Sequence, residues 1–541
     1  MGDWHPSVPL RCALLVWVAS VQACGDDARA HTDAAAVAPD ATTDGGTPSD
    51  VGRPDTGADA ADAVDAGPVA CRTDRACAAS ERCATQGVHE IETEDDDRAS
   101  CTPIDALVGS APATWRWTTG GRALADRLCF AGGLARGAGP SVDALRERQI
   151  TLIGEAGVRL LRLDLPWAEI EPERGVHDYS ALDPMVDRAR DAGIEVLGIL
   201  AYGAPWASSD PAADRFYPPD DPADFAEFAR ATAEHFDGRI ARYEIWNEPN
   251  AGYRFWRPTL HGDARAFGAL VGLATPAVRE GCPDCTVMAG GFFFHEMIIN
   301  GAVEFLHDLL AAAPEVLAPP PRGLDALSFH PYPRYPPRVA PELDADGERA
   351  MGGMLDDLRA VLALHGIDDP PFAMTEVGWP SYGDVDEATQ ADWLARSLLL
   401  GAALGMDPLC WFNVADGPAH GRFPPEDDFG VYRFDSENGP IDPKPARDAL
   451  AWLARIGAGA TFVGPADDTG LHAPDEGRFA LDFDAPEGRW TVAWTLDGTR
   501  YETHVTSDTG VAHDVTGREI ARASGGELVV EVSSSPVYWS D

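Results

Sequence analysis

The sequence has 541 residues, more than one small domain accounts for at about 150 residues per domain, and 45% of it is hydrophobic, enough for a large core. Eighty-eight acidic residues against 42 basic ones give a net charge of −46, which repels a phosphate backbone and an anionic lipid surface alike and argues against nucleic acid as a partner. Past residue 25 no apolar run approaches the roughly 18 residues of a membrane span. Lys444 is the only lysine among the 42 basic residues, a bias read as high-GC coding.

Arg11 precedes a short apolar stretch, residues 12–21, that ends in small residues before Cys24. Such an h-region is too short to span a bilayer and predicts export, with 1–24 as a signal peptide. The string Val21-Gln22-Ala23-Cys24-Gly25 resembles a bacterial lipobox, which implies lipidation of Cys24 and a membrane contact through that anchor; an ordinary cleaved signal peptide is the alternative. Either reading places the protein where disulfides persist. Residues 25–70 are Asp, Ala, Thr, Gly and Pro with almost no large apolar side chain, a composition that predicts a disordered tether. Cys71, Cys77, Cys83 and Cys101 then mark a small cysteine-rich segment, 71–110. Their spacing fits two disulfides of open connectivity better than zinc, since the close pairs of common zinc sites are missing. Cys282 and Cys285 do have that close spacing, but between a helix and a strand they predict a turn-closing disulfide.

From 120 to 457 short aliphatic runs alternate with longer amphipathic ones. Strands are predicted at 128–131, 158–164, 194–201, 240–247, 286–290, 326–330, 372–376 and 409–413, with helices at 142–156, 181–192, 222–235, 263–279, 302–313, 347–364, 387–404 and 445–456. Eight strand–helix units make this an α/β chain with a (β/α)8 TIM barrel; an open doubly wound sheet is disfavoured because no glycine-rich phosphate turn follows an early strand. After 457 the pattern changes to alternating runs at 489–496, 501–505 and 527–532 between DG, TG and GG turn signals, the mark of a small all-β domain over 458–541 with a sandwich-like form.

Polar and aromatic residues gather just past the predicted strand ends: Trp167, Trp206, Glu248, Tyr332, Glu376 and Asp416. In such barrels that face carries the active site. Glu248 stands in Trp246-Asn247-Glu248-Pro249-Asn250 after the fourth strand, and Glu376 in Met374-Thr375-Glu376-Val377-Gly378-Trp379-Pro380 at the seventh. Either alone could cap the next helix. Two carboxyls facing across one cleft are what glycosidic bond cleavage requires, one to protonate the leaving oxygen and one to attack or to activate water.

These two motifs resemble those of glycoside hydrolase clan A, the retaining barrel glycosidases. The segments Arg162-Leu163-Asp164-Leu165-Pro166-Trp167, Ile170-Glu171-Pro172-Glu173-Arg174-Gly175, Asp178-Tyr179-Ser180, Ser328-Phe329-His330-Pro331-Tyr332, Asp428-Phe429-Gly430-Val431 and Pro443-Lys444-Pro445 are most similar to family 39 and related bacterial exopolysaccharide hydrolases. The resemblance covers about 128–456. It implies that Glu248 is the acid/base and Glu376 the nucleophile, with carboxyls about 5–5.5 Å apart. It further implies that Asn247 meets the sugar 2-hydroxyl, that Arg162 keeps Glu376 ionised, and that Tyr332 is a second donor to it. His330 is a further candidate, as is Asp164, two residues from Arg162 on the inward face.

Aromatic faces stack on pyranose rings. Trp411 on strand eight is expected to floor the reactive subsite, with Trp167, Trp206, Trp379 and Trp256 as rim candidates. Cys129 and Cys410 fall on strands one and eight, neighbours in a closed barrel, and are either bonded or two buried thiols. The function expected is a retaining glycosidase acting on a β-linked polysaccharide or oligosaccharide, with no metal or organic cofactor required. A transglycosylase using the same residues, or a non-catalytic glycan-binding surface lipoprotein, are the alternatives.

Overall fold

The computed structural model describes residues 81–85, 99–103 and 113–540, other than 133, 136–138, 260–261, 295–300, 334–336, 344–349, 418–425 and 436–438. Cys24, Cys71, Cys77, the signal peptide and the tether lie outside the described residues. Of the cysteine-rich segment, strands Glu81–Thr85 and Ala99–Pro103 pair antiparallel with Cys83 opposite Cys101.

Eight parallel strands follow: β1 (Leu128–Ala131), β2 (Leu160–Pro166), β3 (Glu195–Ala201), β4 (Arg242–Ile245), β5 (Thr286–Phe293), β6 (Ala326–His330), β7 (Phe372–Val377) and β8 (Leu409–Trp411). They close in sequence order, with β8 hydrogen-bonded to β1. All eight stand where apolar runs predicted them, β1 and β6 with the predicted ends and the others with shifted ones. Val158 and Ile240, expected to open strands, are buried in the preceding turns instead, because an apolar side chain reports burial and not ladder pairing. Gly290, expected to end the fifth strand, lies inside β5, where it (φ 122°) and Gly291 (φ 51°) accompany a register shift between Ala289 and Phe292; glycine takes up the left-handed backbone of such a bulge without strain.

Helices pack outside, and three of them start on an aspartate cap: Asp221, Asp263 and Asp386 each accept a backbone N–H of the first turn, satisfying donors that the helix cannot. Among the described residues no helix is long and apolar enough to cross a membrane.

Strand alternation builds the barrel interior in layers. The lowest is apolar: Cys129, Leu160, Leu197, Met288, Ala326, Ala373 and Cys410 form one buried cluster. Two residues further along β2, β6 and β7 come Arg162, Ser328 and Thr375, all buried. Cys129 and Cys410 are opposite in register and disulfide-bonded, joining the first and last strands. Cys282 and Cys285 are also bonded, across the turn before β5.

The C-terminal residues form a six-stranded antiparallel sheet, in the order Thr461–Pro465, Arg478–Ala485, Gly488–Thr495, Val537–Ser540, Val511–His513, Glu519–Arg522, and a two-stranded sheet, Tyr501–Thr506 with Glu527–Val532. Leu528, Val530 and Val532 of the pair share a small core with Ala480, Ala493 and Trp539 of the larger sheet. The other face of that sheet, through Phe462, Phe479, Leu481 and Trp494, belongs to the main core of the barrel. A buried polar contact fixes the seam: Arg396 pairs with Glu342, whose Oε1 accepts the Trp494 Nε1–H at 2.9 Å.

Candidate active site

Glu248 follows β4 through a tight turn in which two non-glycine residues, Trp246 (φ 64°) and Glu248 itself (φ 47°), adopt left-handed backbone. That conformation is strained for a side chain with a Cβ and persists only where the surroundings over-determine it. Here Trp246 is wholly buried and donates to Phe255 O at 2.9 Å. Asn250 adds a two-way clamp, donating to Phe293 O and accepting from Phe293 N. Glu248 is thus delivered to the barrel mouth by a backbone held on both sides.

Glu376 ends up across from it. Its Oε2 receives Arg162 Nη1 at 3.2 Å and its Oε1 receives the Tyr332 hydroxyl at 2.8 Å. Glu248 Oε1 lies 2.8 Å from His330 Nδ1. Oxygens of the two glutamates and a nitrogen of His330 all fall within 4.8 Å of one another. Among the described residues these three atoms alone are close enough together to hold a cation, and the Arg162 charge beside Glu376 argues against one.

Beneath this pair lies a third carboxylate. Glu244, fully buried on β4, accepts Arg162 Nε at 2.6 Å, Ser328 Oγ–H at 2.6 Å and Thr375 Oγ–H at 2.9 Å. The remaining Arg162 nitrogen, Nη2, donates to Asn247 Oδ1 at 2.8 Å, which leaves the Asn247 amide nitrogen to meet a ligand. Burial alone would lower the Arg162 pKa, but the charges of Glu244 and Glu376 outweigh it and hold the guanidinium ionised. Burial would raise Glu244, and the Arg162 charge reverses this, so Glu244 stays an anion below the usual carboxylate range. Burial pushes the wholly buried His330 down to about 4, so its imidazole is neutral. Gly291 is required beside this network: a Cβ there would stand 3.2 Å from His330 Nε2 and 3.3 Å from Glu244 Oε1.

Glu248, Glu376, Asn247, Arg162, His330 and Tyr332 are therefore brought together. Of these, His330 is a correction: it is 0% exposed and bonded to Glu248 and Thr375, so it orients the carboxyl and does not touch a sugar. Arg162, at 3% exposure, likewise acts through its three partners. The tryptophans divide. Trp411 is 0% exposed, stacked on Trp379 at 6.0 Å with Nε1 toward Phe429 O. Since Cys410 points inward, Trp411 points at the helices, and the inward aromatic is its neighbour Phe412, partly exposed above the apolar layer. Phe412 packs edge-on to Phe429 at 5.4 Å, and Phe429 in turn lies 6.4 Å from Tyr332. Trp379 donates to Val339 O, Trp167 donates to Glu171 and stacks on Phe228, and Trp256 packs on Trp246. All three are core residues, corrected from rim candidates by their burial. Trp206 alone keeps an accessible ring; it lines a cavity of about 330 Å³ with Ser208, Asp220 and Asp224, under the guanidinium of Arg174 at 4.6 Å.

Residues 141–207, which span β2 and β3 and include Arg162 but neither glutamate, match the family model of glycoside hydrolase family 42, described as beta-galactosidase. Among curated proteins none matches the chain. Solved structures share the fold at low identity. A family 39 glycoside hydrolase from the gut symbiont Bacteroides cellulosilyticus WH2 is 22% identical with a TM-score of 0.59, covering 77% of this chain and 81% of that one. A monomeric beta-xylosidase from Caulobacter crescentus CB15 is 16% identical with a TM-score of 0.53, covering 78% and 97%. The family 39 enzyme from Xanthomonas axonopodis pv. citri is 16% identical with a TM-score of 0.52, covering 80% and 95%. The barrel shares its fold with these glycoside hydrolases.

In this barrel, sequence reasoning missed Glu244, Ser328, Thr375, Phe412 and the role of Lys444. Glu244 had a signal: an acid in the middle of an apolar strand must be buried with a partner. Lys444, noted only as the single lysine and as part of the Pro443-Lys444-Pro445 string, is 1% exposed and donates to Asp416 Oδ1 at 2.6 Å, Ser381 Oγ at 2.9 Å and Asp428 O at 3.3 Å. It ties the segment after β8 to the segment after β7. Gly378 lies inside that junction, where a Cβ would stand 2.2 Å from Phe412 O.

Proposed function

We propose that this protein is a retaining glycoside hydrolase in which Glu376 is the nucleophile and Glu248 the acid/base. The observation that carries the reading is the unequal service of two carboxyls whose oxygens lie within 4.8 Å. Glu376 receives a guanidinium and a phenol, which favour its anion, while Glu248 faces a neutral imidazole. The spacing supports double displacement, for which carboxyls stand about 5–5.5 Å apart, over inversion, which needs roughly 6.5–9.5 Å to admit a water. In the first step Glu376 attacks the anomeric carbon as Glu248 gives its proton to the departing oxygen. In the second, the Glu248 carboxylate takes a proton from the water that releases the sugar from Glu376. Asn247 supplies an amide N–H to the 2-hydroxyl, and Phe412 an apolar face to the ring.

The substrate we propose is a β-linked oligosaccharide or polysaccharide. Aryl β-galactosides and β-xylosides belong first in a screen with β-glucans, xylans and bacterial exopolysaccharides, because relatives carry those two activities in their names. Proton NMR of the first-formed product should show the β-anomer, and Glu376→Gln should abolish release; full activity in that variant sinks the assignment. Product lengths with excess acceptor separate hydrolysis from transfer.

Export, with a lipid anchor on Cys24, remains part of the proposal. Two disulfides among the described residues support an oxidising compartment. Mass spectrometry of the native N-terminus should find acyl chains on Cys24.

A further inference from the structure

We infer that Glu244 is a positioning residue that decides which of the two cleft carboxyls carries the proton, acting on Glu248 through Thr375 and His330 and on Glu376 through Arg162. The inference rests on the glycosidase reading and goes beyond it, because it assigns the acid from a count of protons along a chain of hydrogen bonds.

Glu244 as an anion only accepts. It takes the hydroxyl protons of Ser328 and Thr375 on Oε1 and the Arg162 Nε–H on Oε2. Thr375 has one hydroxyl proton, and that proton points at Glu244. The Thr375 oxygen therefore meets His330 Nε2, 3.2 Å away, as an acceptor, and Nε2 must bear the hydrogen. A neutral imidazole has one N–H. With it on Nε2, Nδ1 presents a lone pair to Glu248 Oε1 at 2.8 Å, and two lone pairs at that distance repel. The contact is attractive only when Glu248 carries the proton. Glu244 thus fixes the His330 tautomer, and the tautomer holds Glu248 as the acid.

On the other side Glu244 grips Nε of Arg162 and so aims Nη1 at Glu376 and Nη2 at Asn247. The nucleophile keeps a fixed cation while the acid keeps its proton. If Glu244 acted on Glu248 through its charge alone, Glu244→Gln would favour the Glu248 anion but Thr375→Val, which keeps that charge, would leave the ionisation of Glu248 where it is. If it works as argued, its loss frees His330 to turn an Nδ1–H toward Glu248, which favours the Glu248 anion. Removing a buried negative charge pushes the same way.

The test compares kcat/KM against pH for wild type, Glu244→Gln, Thr375→Val and Ser328→Ala, each checked for folding by circular dichroism. Thr375→Val breaks the relay while keeping the Glu244 charge, and so stands in if Glu244→Gln does not fold. The alkaline limb, where Glu248 must still be protonated, is expected to move at least one pH unit lower in Glu244→Gln. It should move in the same direction by less in Thr375→Val and stay in place in Ser328→Ala, whose hydroxyl is off the path. Alkaline limbs that coincide in wild type and Thr375→Val overturn the inference, whatever Glu244→Gln shows, while leaving the glycosidase reading intact. A readout without turnover covers failure of that reading: 15N spectra of histidine-labelled protein, with His330→Asn to assign the signal, should show His330 neutral and protonated at Nε2 at pH 7. An Nδ1-protonated or cationic ring overturns the inference on its own.

Discussion

Replacing His330 by Asn should flatten the acid side of the stability curve. In the folded protein burial pushes this histidine down to about 4, against an ordinary 6.5. A histidine whose folded pKa is depressed binds fewer protons folded than unfolded between those two values, so stability falls as pH drops through 6.5 and stops falling below 4. The loss from this one group is roughly 2 kcal/mol between pH 7 and pH 5 and about 3 kcal/mol by pH 4. Carboxylates titrate over part of the same range in both proteins and cancel in the difference. Urea unfolding of wild type and His330→Asn at half-unit steps from pH 7 to pH 4.5 measures it. The variant starts less stable, because Glu248 and Thr375 lose a partner, and the gap should narrow by about 2 kcal/mol at pH 5. Curves that run parallel would refute a neutral, buried His330.

Three further outcomes are expected. Phe412→Ala should lower kcat/KM by roughly 10- to 100-fold, mostly through KM, by removing the apolar face beneath the sugar, whereas Trp411→Phe should stay within about twofold; steady-state kinetics of the pair decides which ring meets substrate. Arg162→Met should lower kcat about 100-fold or more and cost about 3–5 kcal/mol of stability by leaving Glu244 buried and unpaired, and a variant that melts like wild type would contradict the network. Loss of the Cys129–Cys410 bond, which closes 281 residues, should lower unfolding stability by roughly 5.6 kcal/mol on the chain-entropy estimate; denaturant midpoints of Cys129→Ser/Cys410→Ser against wild type test it.

The barrel was legible because each strand is a short apolar run between turn signals, and burial on both faces of a parallel strand leaves that trace in sequence. Glu248 and Glu376 were legible because motif and strand end coincide. What escaped is what depends on the parity of side chains at the strand ends. Trp411 attracted the eye as the larger ring, yet counting by two from Cys410 already points to Phe412. Trp167, Trp256 and Trp379 carry the same apolar signature whether they face a sugar or a helix, and only packing against particular neighbours such as Phe228 and Trp246 separates the cases. Glu244, Ser328 and Thr375 are single polar residues inside apolar runs. Their partnership spans four strands, from β2 to β7, that lie far apart in the chain, so no local pattern announces it.

Lys444 has a practical consequence of another kind. It is the only side-chain amine in 541 residues, and it is 1% exposed in the junction between the segments that follow β7 and β8. An amine-selective acylating reagent thus finds no exposed side-chain amine on the folded protein. Labelling of the peptide that carries Lys444 becomes a clock for the parting of those two segments, readable by mass spectrometry without any substrate. Because Phe412 and Phe429 lie beside the same junction, a glycan that settles against them should slow the clock, and a ligand that binds elsewhere should leave it running.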